Sequence, residues 1–138
     1  MRPTRPIRDP KIEKLARLPL FEGLPTEQLA EISAAAETVE VRRFRDIARE
    51  GASGDMVYVI VHGMVQVKQG NRVLAYLQDG DVVGELAVLD HIPRTATVTT
   101  VADSELLLID RRHLGPVLER NPRVAERLDR VADLRRVA

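Results

Sequence analysis

Gly84-Glu85-Leu86-Ala87-Val88-Leu89-Asp90-His91-Ile92-Pro93-Arg94-Thr95-Ala96-Thr97-Val98 is the stretch whose reading decides the rest of the chain. Gly84 lacks a Cβ and admits close backbone approach, and Glu85 to Leu89 form helix readily over little more than one turn. A helix that short is mostly N-terminus. The amides of Leu86 and Ala87 have no intrahelical carbonyl partner and sit at the positive end of the peptide dipoles, so they can hydrogen-bond a small anion. After a turn at Pro93, Arg94 and Thr95 open a β-branched alternation, Ala96 to Val101, that predicts a strand. Arg94 at the strand start carries a fork of N–H donors that can grip two oxygens of a phosphate.

Glu85 is the unexpected member, because a carboxylate beside a phosphate repels it unless the carboxylate meets a neutral donor instead. A sugar hydroxyl is such a donor. The stretch therefore points to one ligand carrying a phosphate and a ribose hydroxyl on the same small ring. Taken singly, the two charges have plainer readings, Glu85 as the cap of a surface helix and Arg94 as a solvated strand-end cation.

Gly84-Glu85-Leu86-Ala87 followed by Pro93-Arg94-Thr95-Ala96-Thr97-Val98 resembles the phosphate-binding cassette of cyclic nucleotide-binding domains. Such domains occur in bacterial catabolite activators, the regulatory subunit of cAMP-dependent kinase, cGMP-dependent kinase and cyclic-nucleotide-gated channels. The likeness extends over roughly Leu18 to Pro122. It includes Gly51-Ala52-Ser53-Gly54-Asp55-Met56-Val57-Tyr58-Val59-Ile60, then Gly63, Val65 and Val67, and Gly80-Asp81 leading into the cassette. It implies that Glu85 takes the ribose 2′-hydroxyl, Arg94 the cyclic phosphate, and the amides of Leu86 and Ala87 phosphate oxygens, with Gly84 letting the backbone approach. Thr95 stands beside the arginine, where its hydroxyl reaches the phosphate and the guanine amino group of cGMP. Two positions depart from the family pattern: Val83 where an aromatic commonly precedes Gly84, and Phe44 where a turn glycine is usual.

Outward from the cassette, the chain divides into helices over 9–37, strands over 38–109 with the cassette at 84–95, and helices over 110–138. Met1 to Arg8, with Arg2, Arg5 and Arg8 among two prolines, has little to bury and reads as a flexible arm. Asp9-Pro10 caps a first helix with Ile12, Leu15 and Ala16 on one face; Thr26 caps a second, with Leu29, Ile32, Ser33 and Ala36 in its stripe. From Thr38 the period becomes twofold. Val39 and Val41 alternate with charges, Met56 to Val61 is nearly all apolar, Met64 to Gln69 alternates, and Gly70-Asn71 is a hairpin signal before Arg72 to Leu77. Many short strands with glycine turns predict a mainly β fold, a jelly-roll-like eight-stranded β-barrel (double-stranded β-helix), which is also the family's fold. Asp110 caps a helix that Gly115-Pro116 should break or kink, and Asn121-Pro122 starts the last helix, whose stripe is Val124, Leu128, Val131 and Leu134. These correspond to the hinge and lid helices of the family.

The 138 residues suffice for one core, which at 44% hydrophobic and only 3% aromatic is built from Val, Leu, Ile and Ala. Twenty-one basic and 21 acidic residues cancel, which speaks against nucleic acid as a partner of this chain alone. There is no cysteine, and no apolar run approaches the roughly 18 residues that span a bilayer, so a cytoplasmic protein without a membrane partner is expected. His62, His91 and His113 lack the paired spacing of a cupin-type metal site, and neither they nor Ser53 and Ser104 form a nucleophile arrangement. No metal, no cofactor and no catalysis are expected. The expectation is a sensor that binds cAMP or cGMP and signals through its C-terminal helices, with an effector protein or fused output domain as partner and the last helix as a homodimer contact. The alternatives are a degenerate, non-binding β-barrel used for protein contact, or the sensor domain of a larger transcription regulator, channel or enzyme. A DNA-binding helix-turn-helix would have to follow the last helix, beyond Ala138.

Overall fold

A computed structural model describes residues 9–136; the arm read over 1–8 lies outside the described residues. The twofold alternation becomes eight strands: β1 (Glu37–Val41), β2 (Asp46–Ala48), β3 (Met56–His62), β4 (Met64–Gln69), β5 (Arg72–Gln78), β6 (Val82–Val83), β7 (Thr97–Thr100) and β8 (Ser104–Asp110). Around them lie α1 (Pro10–Ala16), a single 3-10 turn (Pro19–Phe21), α2 (Thr26–Ala35), α3 (Glu85–Leu89), α4 (Arg111–Arg120) and α5 (Pro122–Arg136).

The strands do not close into the expected barrel. Among the described residues they form two antiparallel four-stranded sheets, ordered β1-β8-β3-β6 and β2-β7-β4-β5, with ladder bonds within each sheet and side chains packed between them. The reason lies in the crossing turns: β1 and β2 are each an edge strand, and the chain steps from one sheet to the other at Arg42–Arg45 without continuing the ladder.

The first sheet is covered on both sides, which explains the unbroken apolar run in β3. Val57 and Val59, with Leu107 and Ile109 of β8, face a helical layer that contributes Leu15, Phe21, Leu29, Ile32, Leu114, Val124 and Leu128. Ile60 and Leu106 point the other way, onto Ala48, Val65 and Val98 of the second sheet. Two cores therefore share one sheet.

Local chemistry sets the helix ends. Asp9 accepts a hydrogen bond from the Lys11 amide and Pro10 takes the first helical position, as the sequence predicts. Thr26 is not the cap: Pro25 holds that position and Thr26 is already helical. Of the break or kink expected at Gly115-Pro116, the break is absent, and α4 runs through Pro116. Proline there removes only one bond near the helix start, Gly115 offers no Cβ for its ring to strike, and Asp110 Oδ1 caps the His113 amide at 2.9 Å. No described helix is long and apolar enough to cross a membrane.

Candidate functional site

The site is assembled where the loop before β3, the turn from β6 into α3, and Arg94 converge. Gly84 follows β6 in the left-handed region, φ +85°, and so turns the chain directly into α3. A Cβ at Gly84 would lie 2.3 Å from Arg94 Nη1, and one at Gly54 would lie 2.0 Å from Arg94 Nε. Both glycines are thus required by the arginine that lies between them.

Arg94 is 7% exposed and fixed along its whole length. Its amide donates to Ala52 O at 2.8 Å, and its carbonyl accepts from the Gly51 amide at 2.8 Å. Its guanidinium donates from Nη1 to Gly84 O at 3.1 Å and from Nη2 to Met56 O at 2.9 Å, and lies 5.7 Å from the centre of the Tyr58 ring. A guanidinium has five N–H donors, so further donors remain for a ligand. Arg94 lines a cavity of about 470 Å³ together with Ile47, Ala48, Ser53, Met56 and Tyr58. It sits in the loop before β7 rather than at the strand start.

Glu85 opens α3 and is 1% exposed. Its Oε2 accepts from Arg135 Nη1 at 2.6 Å, whereas Oε1 is buried without a hydrogen-bond partner. A buried carboxylate oxygen left unpaired is costly, on the order of 1–3 kcal/mol, and marks a place that a donor would fill. The amides of Leu86 and Ala87 belong to the first turn of α3, where no carbonyl lies four residues back within the helix. Glu85, Leu86, Ala87 and Thr95 do not line the cavity beside Arg94, and Thr95 is exposed, its carbonyl accepting from Gln69 Nε2 at 3.1 Å.

Two arginines that the sequence reading did not single out complete the surroundings. Arg135, near the end of α5, holds Glu85, and beside it Arg136 pairs with Asp90 at the end of α3 through Nε at 2.8 Å and Nη2 at 2.5 Å. The Arg136 guanidinium, by hydrogen bond and charge, holds the Asp90 carboxyl below its ordinary range. Arg111, the first residue of α4, donates from Nη2 to Ala87 O at 3.2 Å and pairs through Nη1 with Asp55 at 3.3 Å, tying α4 to α3 and to the glycine loop. A second cavity, of about 510 Å³, brings Lys14 to Glu105 at 2.9 Å and His62 Nδ1 to Asp79 at 3.2 Å, with Arg17 also in its lining. No group of three or more His, Cys, Asp or Glu among the described residues is placed to hold a metal ion.

Comparison with known proteins bears directly on this arrangement. Residues 38–121 match the model of the cyclic nucleotide-binding domain family. Over 124 residues the chain is 29% identical to a CRP-like cAMP-activated global transcriptional regulator of Mycobacterium tuberculosis, covering 86% of this chain and 55% of that protein. It is 34% identical over 110 residues to a cAMP-dependent protein kinase regulatory subunit of Eremothecium gossypii, covering 76% of this chain and 24% of that protein. The N-terminal domain of a transcriptional regulator from Streptomyces coelicolor superposes with a TM-score of 0.70 at 35% identity, covering 88% of this chain and 91% of that one. The chain thus spans 55% and 24% of the two curated relatives. The family model covers more than half of the chain, and the chain belongs to the cyclic nucleotide-binding domain family.

Proposed function

We propose that this chain is a sensor for cAMP or cGMP whose ligand is held by Arg94 and Glu85 and whose output is carried by the end of α5. The observation that carries the reading is Glu85: a carboxylate 1% exposed, one oxygen taken by Arg135, the other unpartnered, directly after the glycine whose carbonyl holds Arg94. The ribose 2′-hydroxyl donates to Oε1. Arg94 and the amides of Leu86 and Ala87 take the cyclic phosphate, and the Thr95 hydroxyl, next to the arginine, takes the phosphate and the guanine amino group of cGMP.

Arg135 also answers the electrostatic objection to a carboxylate in a phosphate site. With its charge paired at 2.6 Å, Glu85 repels the phosphate less than an isolated carboxylate would. Because the same guanidinium belongs to α5, occupancy of the site and docking of the last turn are linked, and the ligand shifts α5 only as far as it binds the docked and undocked states differently. No residue here is assigned a catalytic role; the protein binds and reports. The relatives, named for transcriptional regulation and for kinase regulation, support an effector protein or fused domain as recipient.

Titration calorimetry with cAMP and with cGMP tests the reading. Saturable one-site binding of either, lost in Arg94→Ala, is the expected outcome. Heats indistinguishable from dilution for both nucleotides, with the protein folded, would assign the module to protein contact alone.

A further inference from the structure

The turn that carries the chain from one sheet to the other, Arg42-Arg43-Phe44-Arg45, takes no part in the site above. Phe44 has φ +65°, a left-handed conformation in which glycine is at ease and a bulky residue is strained. Its ring gains nothing inside the molecule in exchange, being 72% exposed. The backbone beneath it is clamped by Thr100, which is fully buried. Thr100 Oγ1 accepts from the Arg45 amide at 2.9 Å and donates to Arg42 O at 2.7 Å, while Thr100 O accepts from the Phe44 amide at 2.6 Å. An aromatic side chain therefore stands at the apex of a rigid, convex turn.

The charges around it are mainly basic, with Asp103 and Asp46 as the neighbouring carboxylates. Arg42, Arg43 and Arg45 are all exposed. Asp103 accepts from the Arg43 amide at 2.9 Å and from its Nε at 3.3 Å. Among the described residues, the side chains of Arg42 and Arg45 make no hydrogen bond or close ion pair. Asp46, the next acidic residue, is engaged by Thr99 Oγ1 at 2.7 Å and by Arg49 at 3.8 Å.

We propose that this turn docks the domain on an anionic lipid surface, with Phe44 entering the boundary between headgroups and acyl chains and Arg42 and Arg45 resting at the phosphate level. One apolar apex between long basic side chains is the pattern that sits at a bilayer interface. The small size of the turn favours this occupant over the competing ones. A stable protein interface needs on the order of 800 Å² from each partner, more than a four-residue turn presents, whereas a lipid surface closes around any convex point. Single-stranded nucleic acid needs a basic groove with successive stacking platforms, and this turn offers one ring and no groove. Contact with a bilayer surface requires no spanning helix. Because β2 begins directly after Arg45 and its residues line the cavity beside Arg94, the docked turn is one short strand from the nucleotide site.

The test is sedimentation of the 138-residue chain with vesicles of phosphatidylcholine alone and with vesicles containing phosphatidylglycerol. Binding to the anionic vesicles only is expected. It should weaken with salt, with half-saturation at roughly 0.1–1 mM lipid, the range of a single weak anchor. Phe44→Gly relieves the strained φ and keeps the fold, yet should lower lipid affinity about tenfold. Arg42→Glu with Arg45→Glu should abolish sedimentation with anionic vesicles. The chain has no tryptophan, so Phe44→Trp supplies a single probe whose emission should shift to the blue on anionic vesicles. Wild type remaining in the supernatant with anionic vesicles would overturn the proposal. So would Phe44→Gly binding as well as wild type, or a single-stranded oligonucleotide binding through Phe44 where vesicles do not.

Discussion

Arg135→Ala separates the contribution of α5 to the site from the contribution of the site's own residues. Glu85 is 1% exposed, and its one partner among the described residues is Arg135 Nη1, 2.6 Å from Oε2. Truncating the arginine leaves both carboxylate oxygens unpaired. Breaking a fully buried pair costs about 3–5 kcal/mol. Arg135 keeps 31% side-chain exposure, so water follows the truncation and a loss of about 1–3 kcal/mol is expected. In a domain of this size a loss of about 2 kcal/mol lowers the unfolding midpoint by roughly 5–8 °C. In a Glu85→Gln background the same truncation removes a hydrogen bond to an uncharged acceptor and no ion pair, so it should cost less and the two changes should couple by about 1 kcal/mol. Urea and thermal unfolding of the four ligand-free proteins measure this cycle. If Arg135→Ala costs under about 0.3 kcal/mol, or costs the same in the Glu85→Gln background as in the wild type, the carboxylate does not depend on α5 and the coupling argument fails.

Arg94→Ala should reduce nucleotide affinity by about 2–5 kcal/mol, roughly thirtyfold to several-thousandfold by calorimetry, because a desolvated charge-assisted contact is lost. Glu85→Ala should erase discrimination against a 2′-deoxy cyclic nucleotide, while Glu85→Gln, which keeps an acceptor, should preserve part of it; equal discrimination in all three proteins would refute the ribose contact. Gly54→Ala should cut nucleotide binding at least about tenfold with circular dichroism unchanged, since the new Cβ falls 2.0 Å from Arg94 Nε and must push the guanidinium aside. For Asp90, whose folded-state value is depressed below the ordinary 3.8 chiefly by its hydrogen bonds from Arg136, the pairing is fully present above that value and lost as pH falls through the depressed one. Amide exchange in the last turn of α5, corrected for intrinsic rates, should accelerate below about pH 4, and exchange independent of pH there would remove Asp90 as an anchor.

Legibility in the sequence followed the range of the interactions involved. The strands and α3 were readable because each is specified within a few residues, by valine alternation and by glycines that turn the chain. The division into two sheets was not, because it depends on pairings such as Glu37 with Leu108 and Met56 with Asp110, remote in sequence. Val82–Val83, at two residues, is too short to show a period. Glu85 and Arg94 stood out because anion-site chemistry is concentrated in one stretch, but Arg135 approaches from 50 residues away. A signal was nevertheless present: Arg135 follows Leu128 by seven, on the face that buries Val124, Leu128 and Ala132, whereas Leu134, read as part of that stripe, is 78% exposed. Arg111 had a signal as well, a cation in the first turn of a helix, where the dipole disfavours it unless another contact compensates.

The same helix is core and contact at once, and the magnitudes decide which part of it can move. Val124 and Leu128 are each 1% exposed and packed with Leu15, Phe21 and Leu114, so withdrawing all of α5 would expose roughly 3–6 kcal/mol of buried side chain. A micromolar ligand supplies about 8 kcal/mol in total, of which only its difference between states can drive a movement. The pairs of Arg136 are screened by water and weak, and that of Arg135 is open to water on the arginine side. On the proposed reading, nucleotide binding at Glu85 should therefore move the final turns of α5 while the segment from Pro122 to Leu128 stays packed. Removing residues 134–138 should abolish coupling to the site and leave the fold intact, whereas deleting the whole helix strips the core. If amide exchange slowed on nucleotide addition from Val124 to Leu128 as strongly as from Val131 to Arg135, the entire helix would be the moving part and this division would be wrong.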